Sequence, residues 1–266
     1  MQRKNGSVIG TLKSSGITRV IVIPDLQVPA HDKKSLAAVE KLMADFSWDY
    51  YINLGDFLDF NEISFHNHGK PMLVEGQRIL KSFDAGNEIL DRHQKIVKSK
   101  NRKAKFVLLN GNHDYRIERY VEMFPQTEGL LDYDKNLRLK QRKIEWVRCY
   151  PDGTDFVLGK AHFHHGLYTN DVHSKKHVNA WGTNIFYGHL HDVQNYSMTK
   201  RGENSTIVGQ SLGCLCEYEQ SYIKGNPSRW QQAVTIFEFF PNGNFTYNVI
   251  RIFNHQFIFA GKLYKP

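Results

Sequence analysis

The chain has 266 residues, 41% of them hydrophobic and 23% charged, and a formal net charge of +8. That length buries a full core in one α/β domain, and that composition is ordinary for a globular protein in water. No apolar run approaches the ~20 residues that span a bilayer, and the basic opening stretch MQRKNGSVIGTLKSSG has no signal-peptide core.

Residues 1–16 read as a flexible basic arm ahead of a single domain over 17–266, with a cytoplasmic location and no membrane partner expected. The run TRVIVIP (18–24) reads as a first buried strand. Asp32 sits where an N-cap belongs, before an amphipathic helix over 33–44. Residues 50–54 form a second strand, followed by a polar insert rich in aromatics. A long helical pattern then covers 74–98, in which Ile79, Phe83, Ile89, Leu90 and Ile96 recur at helical spacing. Residues 105–109 form a third strand. This β-α-β-α-β order predicts right-handed crossovers, a parallel sheet, and ligands gathered at the carboxyl ends of its strands.

The second half changes character. Short strands are expected over 144–148, 155–158, 161–164, 184–187, 194–199, 205–208, 233–239 and 244–253. Turns such as Asp152-Gly153 and Pro241-Asn242-Gly243 separate them. They predict a second, mixed or antiparallel sheet against the first. Three cysteines, Cys149, Cys214 and Cys216, are an odd count, and the last two are too close to bridge easily. No disulfide framework is expected, and a reducing interior fits. Much of the basic excess lies in KIVKSKNRKAK and KNLRLKQRK. Those runs make nucleic acid a candidate partner, against the plainer reading of solvated helix and loop faces.

Four segments end apolar runs: Asp25-Leu26-Gln27, Gly55-Asp56-Phe57-Leu58-Asp59, Gly111-Asn112-His113-Asp114 and Gly188-His189-Leu190-His191. Asp25 and Gln27 are two apart, so strand alternation sends both to one side. Asp56 has two carboxylate oxygens with which to bridge two ions. Asn112 offers a neutral amide oxygen, and His165, His189 and His191 offer nitrogens. Carboxylate with imidazole suits Zn, Mn or Fe better than Mg or Ca. Any one segment alone reads as a turn or a cap. Together, all at strand ends, they predict one metal-dependent hydrolytic centre.

In their order these segments resemble the calcineurin-like metallophosphoesterases. That family's signature runs Asp-x-His, Gly-Asp-x-x-Asp, Gly-Asn-His-Asp/Glu, an isolated His commonly followed by Gly, and Gly-His-x-His. Four of the five elements match as written, and Asp-Leu-Gln followed by Pro-x-His-Asp is similar to a small phage-like or bacterial branch. The resemblance implies an α/β fold, a four-layer α/β/β/α sandwich of two mixed sheets flanked by helices, with two metals between them. It implies that Asp25, Gln27, Asp56 and His191 hold one metal, and Asp56, Asn112, His165 and His189 the other. His113 would act on the phosphate, with Asp59 orienting it.

Gln27 departs from the family's usual His. A neutral amide oxygen is a poorer donor, so the first metal is expected to bind more weakly. The expected cofactor is two divalent ions, Mn²⁺ first, with Fe, Zn or Ni as alternatives. Gln27 is read as a direct ligand; the alternatives are that it bonds a metal-bound water, or that His31 reaches inward instead. Arg116, His66 and His68 are the candidate substrate contacts. Trp230 reads as packing, Tyr218 and Tyr222 as a loop near the site, and His162 and His164 as non-ligands.

Two divalent ions, less the charges of Asp25, Asp56 and a hydroxide, leave the centre near about +1, which attracts a phosphoester anion. A metal-bridging hydroxide is the expected nucleophile, and His113 the proton donor to the leaving oxygen. There is no P-loop and no Gly-x-Ser-x-Gly elbow. The activity expected is that of a phosphodiesterase or nuclease. The alternatives are a phosphomonoesterase acting on a phosphoprotein or small metabolite, and a catalytically weak metal-binding scaffold.

Overall fold

Val20, Ile21, Val22 and Ile23 are all fully buried. Successive side chains on a strand face opposite ways, so a strand buried on both faces needs a layer on each side. Val20 and Val22 pack among residues of a second sheet, including Phe156, Phe163 and Phe186. Ile21 and Ile23 pack the other way, against Leu36, Val39, Leu90 and Val97 of two helices.

The computed structural model describes residues 2–4, 6–200, 202, 205–219 and 228–266. Its first half contains β1 (Gln2–Lys4), β2 (Ser7–Ile9), β3 (Thr18–Ile23), α1 (Lys33–Asp45), β4 (Tyr50–Asn53), α2 (Ile79–Lys100), β5 (Lys105–Leu109), α3 (Arg116–Met123), α4 (Tyr133–Asn136), α5 (Leu139–Arg142) and β6 (Ile144–Val147). Its second half contains β7 (Asp155–Leu158), β8 (Ala161–His164), α6 (His173–Trp181), β9 (Asn184–Tyr187), β10 (Asn195–Lys200), β11 (Ser205–Ser211), β12 (Ala233–Phe239), β13 (Phe245–Arg251), β14 (Phe257–Phe259) and β15 (Lys262–Tyr264). One sheet has the order β13-β12-β3-β4-β5-β6, and the other β1-β2-β7-β8-β9-β11-β10. Both are mixed. Helices α1 and α2 cover the first sheet, and α6 packs on β9, β10 and β11 of the second. The fold is the four-layer α/β/β/α sandwich.

Register places the site. Ile23 pairs with Asn53, and Asn53 with Leu108, so β3, β4 and β5 end at one level. In the other sheet His164 pairs with Tyr187, so the segments after β8 and β9 also leave at one level.

Several expectations need correction. The arm expected over 1–16 is instead partly sheet: Ser7–Ile9 pair with Asp155–Val157, and Val8 is 1% exposed. Its short apolar pair, Val8 and Ile9, is enough to add a strand beside β7. Strands β6, β12 and β13 join the first sheet, not the second: β6 pairs parallel with β5, and β12 pairs antiparallel with both β3 and β13. The helix expected from 74 starts at Ile79. Pro71–Val74 form a 3-10 turn instead, and Gly76 with φ 76° breaks the chain between them. The C-terminal end is held by the β14–β15 hairpin, whose Tyr264 hydroxyl donates to Asp45 at 2.8 Å. Cys149, Cys214 and Cys216 are free and buried. Among the described residues no helix is long and apolar enough to cross a membrane.

His177 on α6 ties the second sheet to the loop after β8. Its ring stacks on Tyr187 at 3.9 Å between centroids. Nδ1–H donates to the His173 carbonyl at 2.8 Å, while Nε2 accepts from the Leu167 and Tyr168 amides at 3.0 and 3.3 Å. Burial, ahead of the neighbouring His173 and His164, lowers its pKa from 6.5 to about 4. The unfolded chain therefore binds the extra proton. Stability from this residue is whole above about 6.5 and is lost as pH falls toward 4, by up to about 3 kcal/mol. Urea titrations between pH 7 and 4 are expected to show a shallower acid loss in His177→Gln than in the wild type; equal slopes would refute the role.

Candidate metal centre

Five segment ends converge between the two sheets. From the first sheet come Asp25 and Gln27 after β3, Asp56 after β4, and Asn112 after β5. From the second come His165 after β8, and His189 and His191 after β9. Asp25, Gln27, Asp56, His165 and His191 are each at most 4% exposed. One ligand atom each of Asp25, Asp56 and His191 lies within 4.8 Å of the others, and the same holds for Asp56, His165 and His189. Asp56 belongs to both groups.

The contacts set which atoms face inward. His165 Nδ1–H donates to the Leu54 carbonyl at 2.9 Å. That leaves Nε2 beside Asn112 Oδ1 at 3.1 Å and Asp56 Oδ2 at 3.3 Å. His191 Nε2 lies 3.3 Å from Gln27 Nε2 and 3.5 Å from Asp25 Oδ1. Asp25 Oδ2, Gln27 Oε1 and His189 Nδ1 are buried with no hydrogen-bond partner in the protein. Buried polar atoms are rarely left so unless another group completes them. Two buried carboxylates, three imidazoles and two amide oxygens form a donor set that fits a pair of divalent cations.

The titration of these groups points the same way. Burial alone would lower His165, but the carboxylates of Asp56 and Asp25 outweigh it and raise its pKa to about 9. Burial would raise Asp56, yet His165 and His113 hold it well below the usual carboxylate range. The pocket thus attracts positive charge, which a proton supplies when no cation does. His189 differs: burial and then His165 push it down to about 3, so it stays a neutral nitrogen donor.

The backbone is strained where the ligand atoms sit. Asp25, Gln27, Asp56, His189 and His191 have φ of 31°, 51°, 46°, 72° and 62°. Such conformations cost of order 1–3 kcal/mol each in non-glycine residues and persist only when the surroundings fix them. Close approach is bought by glycines. A Cβ on Gly111 would lie 2.1 Å from Asp56 Oδ1, and one on Gly188 would lie 1.9 Å from Asp25 Oδ2.

Beside the cluster stands His113. Its Nδ1–H donates to Asp59 Oδ1 at 2.7 Å, and its Nε2 lies 3.8 Å from Asp56 Oδ2. Arg116 anchors on the Asp59 carbonyl at 2.6 Å and brings Nη2 to 3.3 Å from His113 Nε2. A cleft of about 500 Å³ opens next to Asp59, lined by Pro29, Glu62, Gln77, Arg78 and Lys81 among others.

Other expected residues fall elsewhere. His66 and His68 are exposed on the insert, where His68 stacks on Phe65, and they are not among the residues lining that cleft. His31 is buried, and the charges that bear on it are Lys33, Arg92, His93 and Glu40 of the α1 and α2 region, so it does not join the cluster. His162 pairs with Asp155 at 3.1 Å, and His164 Nδ1 accepts from the Gly166 amide. Trp230 packs edge-on against His191 at 4.3 Å. The Tyr218 hydroxyl accepts from the Gln232 amide, and Tyr222 lies outside the described residues.

Two features escape a reading of the sequence. Asp114 accepts from the amides of Phe57, Leu58 and Gly111 and from the Tyr133 hydroxyl, so it clamps two ligand loops together. Burial and the charge of Asp56 raise its pKa to about 6. Cys216 Sγ lies 3.8 Å from His191 Nδ1, with Cys214 in the same group. Their spacing of two on an extended segment was the available signal.

Residues 18–208 match the family model for the calcineurin-like phosphoesterases. The chain belongs to that family. Among curated relatives of this phosphoesterase are the gene 54 proteins of Mycobacterium phages L5 and D29. The first is 22% identical over 82% of this chain and 88% of the relative, and the second 23% over 81% and 86%. Similar solved structures include vacuolar protein sorting 29 from Cryptosporidium parvum, with TM-score 0.43, 12% identity, and 94% and 96% of the two chains covered. The nuclease MPE of Pseudomonas putida has TM-score 0.39, 15% identity, and coverage of 93% and 87%.

The contact between Gly188 and Asp25 yields a test. Gly188→Ala forces a methyl onto the carboxylate, and overpacking of this kind costs typically 1–3 kcal/mol. Chemical denaturation of the chelated protein is expected to show a loss in that range. An unchanged midpoint would mean that Asp25 moves aside freely.

Proposed function

We propose that this phosphoesterase is a binuclear-metal-dependent phosphodiesterase, with a nuclease as its leading form. Asp25, Gln27, Asp56 and His191 would hold one cation, and Asp56, Asn112, His165 and His189 the other. Mn²⁺ is the favoured ion, because the amide of Gln27 makes the first set rich in oxygen. The chemistry such cations supply is charge neutralisation at the phosphoryl oxygens and acidification of a coordinated water.

The protein's own part rests on one observation: His113 Nε2 and the Arg116 guanidinium meet at one point beside the cluster. Asp59 holds Nδ1–H, which fixes Nε2 as the atom offered to substrate. There His113 donates a hydrogen bond or proton to the leaving oxygen, and Arg116 bonds a phosphoryl oxygen. The cleft beside Asp59 gives a second ester substituent room that a monoester does not need. That supports diesters over monoesters.

The decisive comparison is hydrolysis of bis(p-nitrophenyl) phosphate against p-nitrophenyl phosphate with added Mn²⁺. Faster cleavage of the diester is expected, and the reverse order would overturn the proposal. His113→Ala should keep its metals but turn over roughly 10²–10⁴-fold more slowly. Asp56→Ala should be purified without either ion when its metal content is assayed; retention of both would remove Asp56 as the shared ligand.

A further inference from the structure

The two basic runs noted in the sequence come together, and away from the metal centre. The end of α2 and its following turn bring Lys98, Arg102, Lys103 and Lys105. The stretch around α5 brings Arg138, Lys140, Arg142 and Lys143. These side chains line two cavities of about 540 and 480 Å³ that share Lys98, Arg102 and Lys143 and so form one groove. The acids lining it are Asp91 and Glu145. Asp91 is engaged by Arg142 and Arg138, and Lys140 is engaged by Asp134. Among the described residues, Lys98, Arg102, Lys103, Lys105 and Lys143 have no carboxylate partner. Burial, and after it the charges of Lys143 and Arg142, lowers the pKa of Lys98.

Crowding like charges on a folded surface is unfavourable unless an anion relieves it. The groove holds none of the exposed large apolar side chains of the protein. It therefore lacks the apolar anchor that seats a peripheral protein on a membrane and the hot spot that captures a protein partner. It offers charge in a concave track, which suits a repeating phosphodiester. Its position is distinct: Lys105 opens β5 and Lys143 precedes β6, whereas the metal cluster lies past the far ends of these strands. Five residues of strand separate the two rims by roughly 15 Å.

We infer that this groove is a docking surface for the phosphate backbone of a nucleic-acid strand, separate from the metal centre. Contact is through phosphates, so binding is independent of sequence and steeply salt-dependent.

The test uses the full chain with its metals chelated, so that no hydrolysis intervenes and the outcome stands apart from the activity proposed above. Affinity for a fluorescent single-stranded DNA of about 20 nucleotides is measured by anisotropy across roughly 50–200 mM salt. Arg102→Glu/Lys103→Glu is expected to weaken binding about tenfold or more and to flatten the salt slope by about 1.4, or 0.7 per lost phosphate contact. Arg102→Gln/Lys103→Gln, which loses the same two contacts, should flatten the slope by a similar amount and weaken binding by less. Lys41→Glu/Lys175→Glu, which removes the same charge elsewhere on the surface, should change affinity less than about threefold. An equal loss in both charge-reversed pairs would show attraction by net charge alone and overturn the inference. So would unaltered binding in Arg102→Glu/Lys103→Glu, or tighter, groove-dependent binding to phosphatidylserine vesicles than to DNA.

Discussion

Asp56 is a fully buried carboxylate held ionised, and the site is organised around that fact. An isolated buried charge is too costly to keep. Here His165, the amide of His113 and the nearby His189 all address it. Each comes from a different segment, so satisfying one side chain draws both sheets together. Asp25 repeats the pattern at the neighbouring strand, with the His189 amide on one oxygen and no protein partner on the other. A centre built this way is preorganised: folding itself brings its donor atoms together.

The second organising contact is Asp114. It lies next to His113 in sequence but faces away from the reactive side. By accepting four hydrogen bonds it fixes the loop carrying Asp56, Phe57 and Leu58 against the loop carrying Gly111. Asp59, Arg116 and His113 then form a triangle on that fixed base. His113 Nε2 is positioned by a chain of contacts that starts in the core, which explains how a side chain at the mouth of the site keeps a defined orientation.

Much of this was legible in the sequence. Strand ends such as Asp25, Asp56 and Asn112 could be read because apolar runs stop abruptly at polar turns, opened by Pro24, Gly55 and Gly111. Strands over 105–109, 155–158, 161–164, 184–187 and 233–239 lie where alternation and turn residues put them. Other features depend on long-range partners. Pairing of β12 with β3 joins residues more than two hundred positions apart, and no local pattern signals it. Helix α6 carries three polar residues on its buried side, His173, Ser174 and His177, so its hydrophobic periodicity is weak. Val8 joins a sheet although only Ile9 beside it is apolar. Arg116 could be named as a substrate contact, but its bonds to Asp59 and His113 follow from tertiary placement alone.

The pairing of β12 with β3 has a consequence for biogenesis. Strand β3 leaves a ribosome more than two hundred residues ahead of its antiparallel neighbour β12. Until that neighbour arrives, the TRVIVI edge, with its apolar run Val20-Ile21-Val22-Ile23, is an unpaired template of the kind that recruits other chains. Contacts of such sequence separation also slow the search for the native state. Nascent chains stalled before residue 233 should therefore depend on holdase chaperones, and release of the final strands would end that dependence.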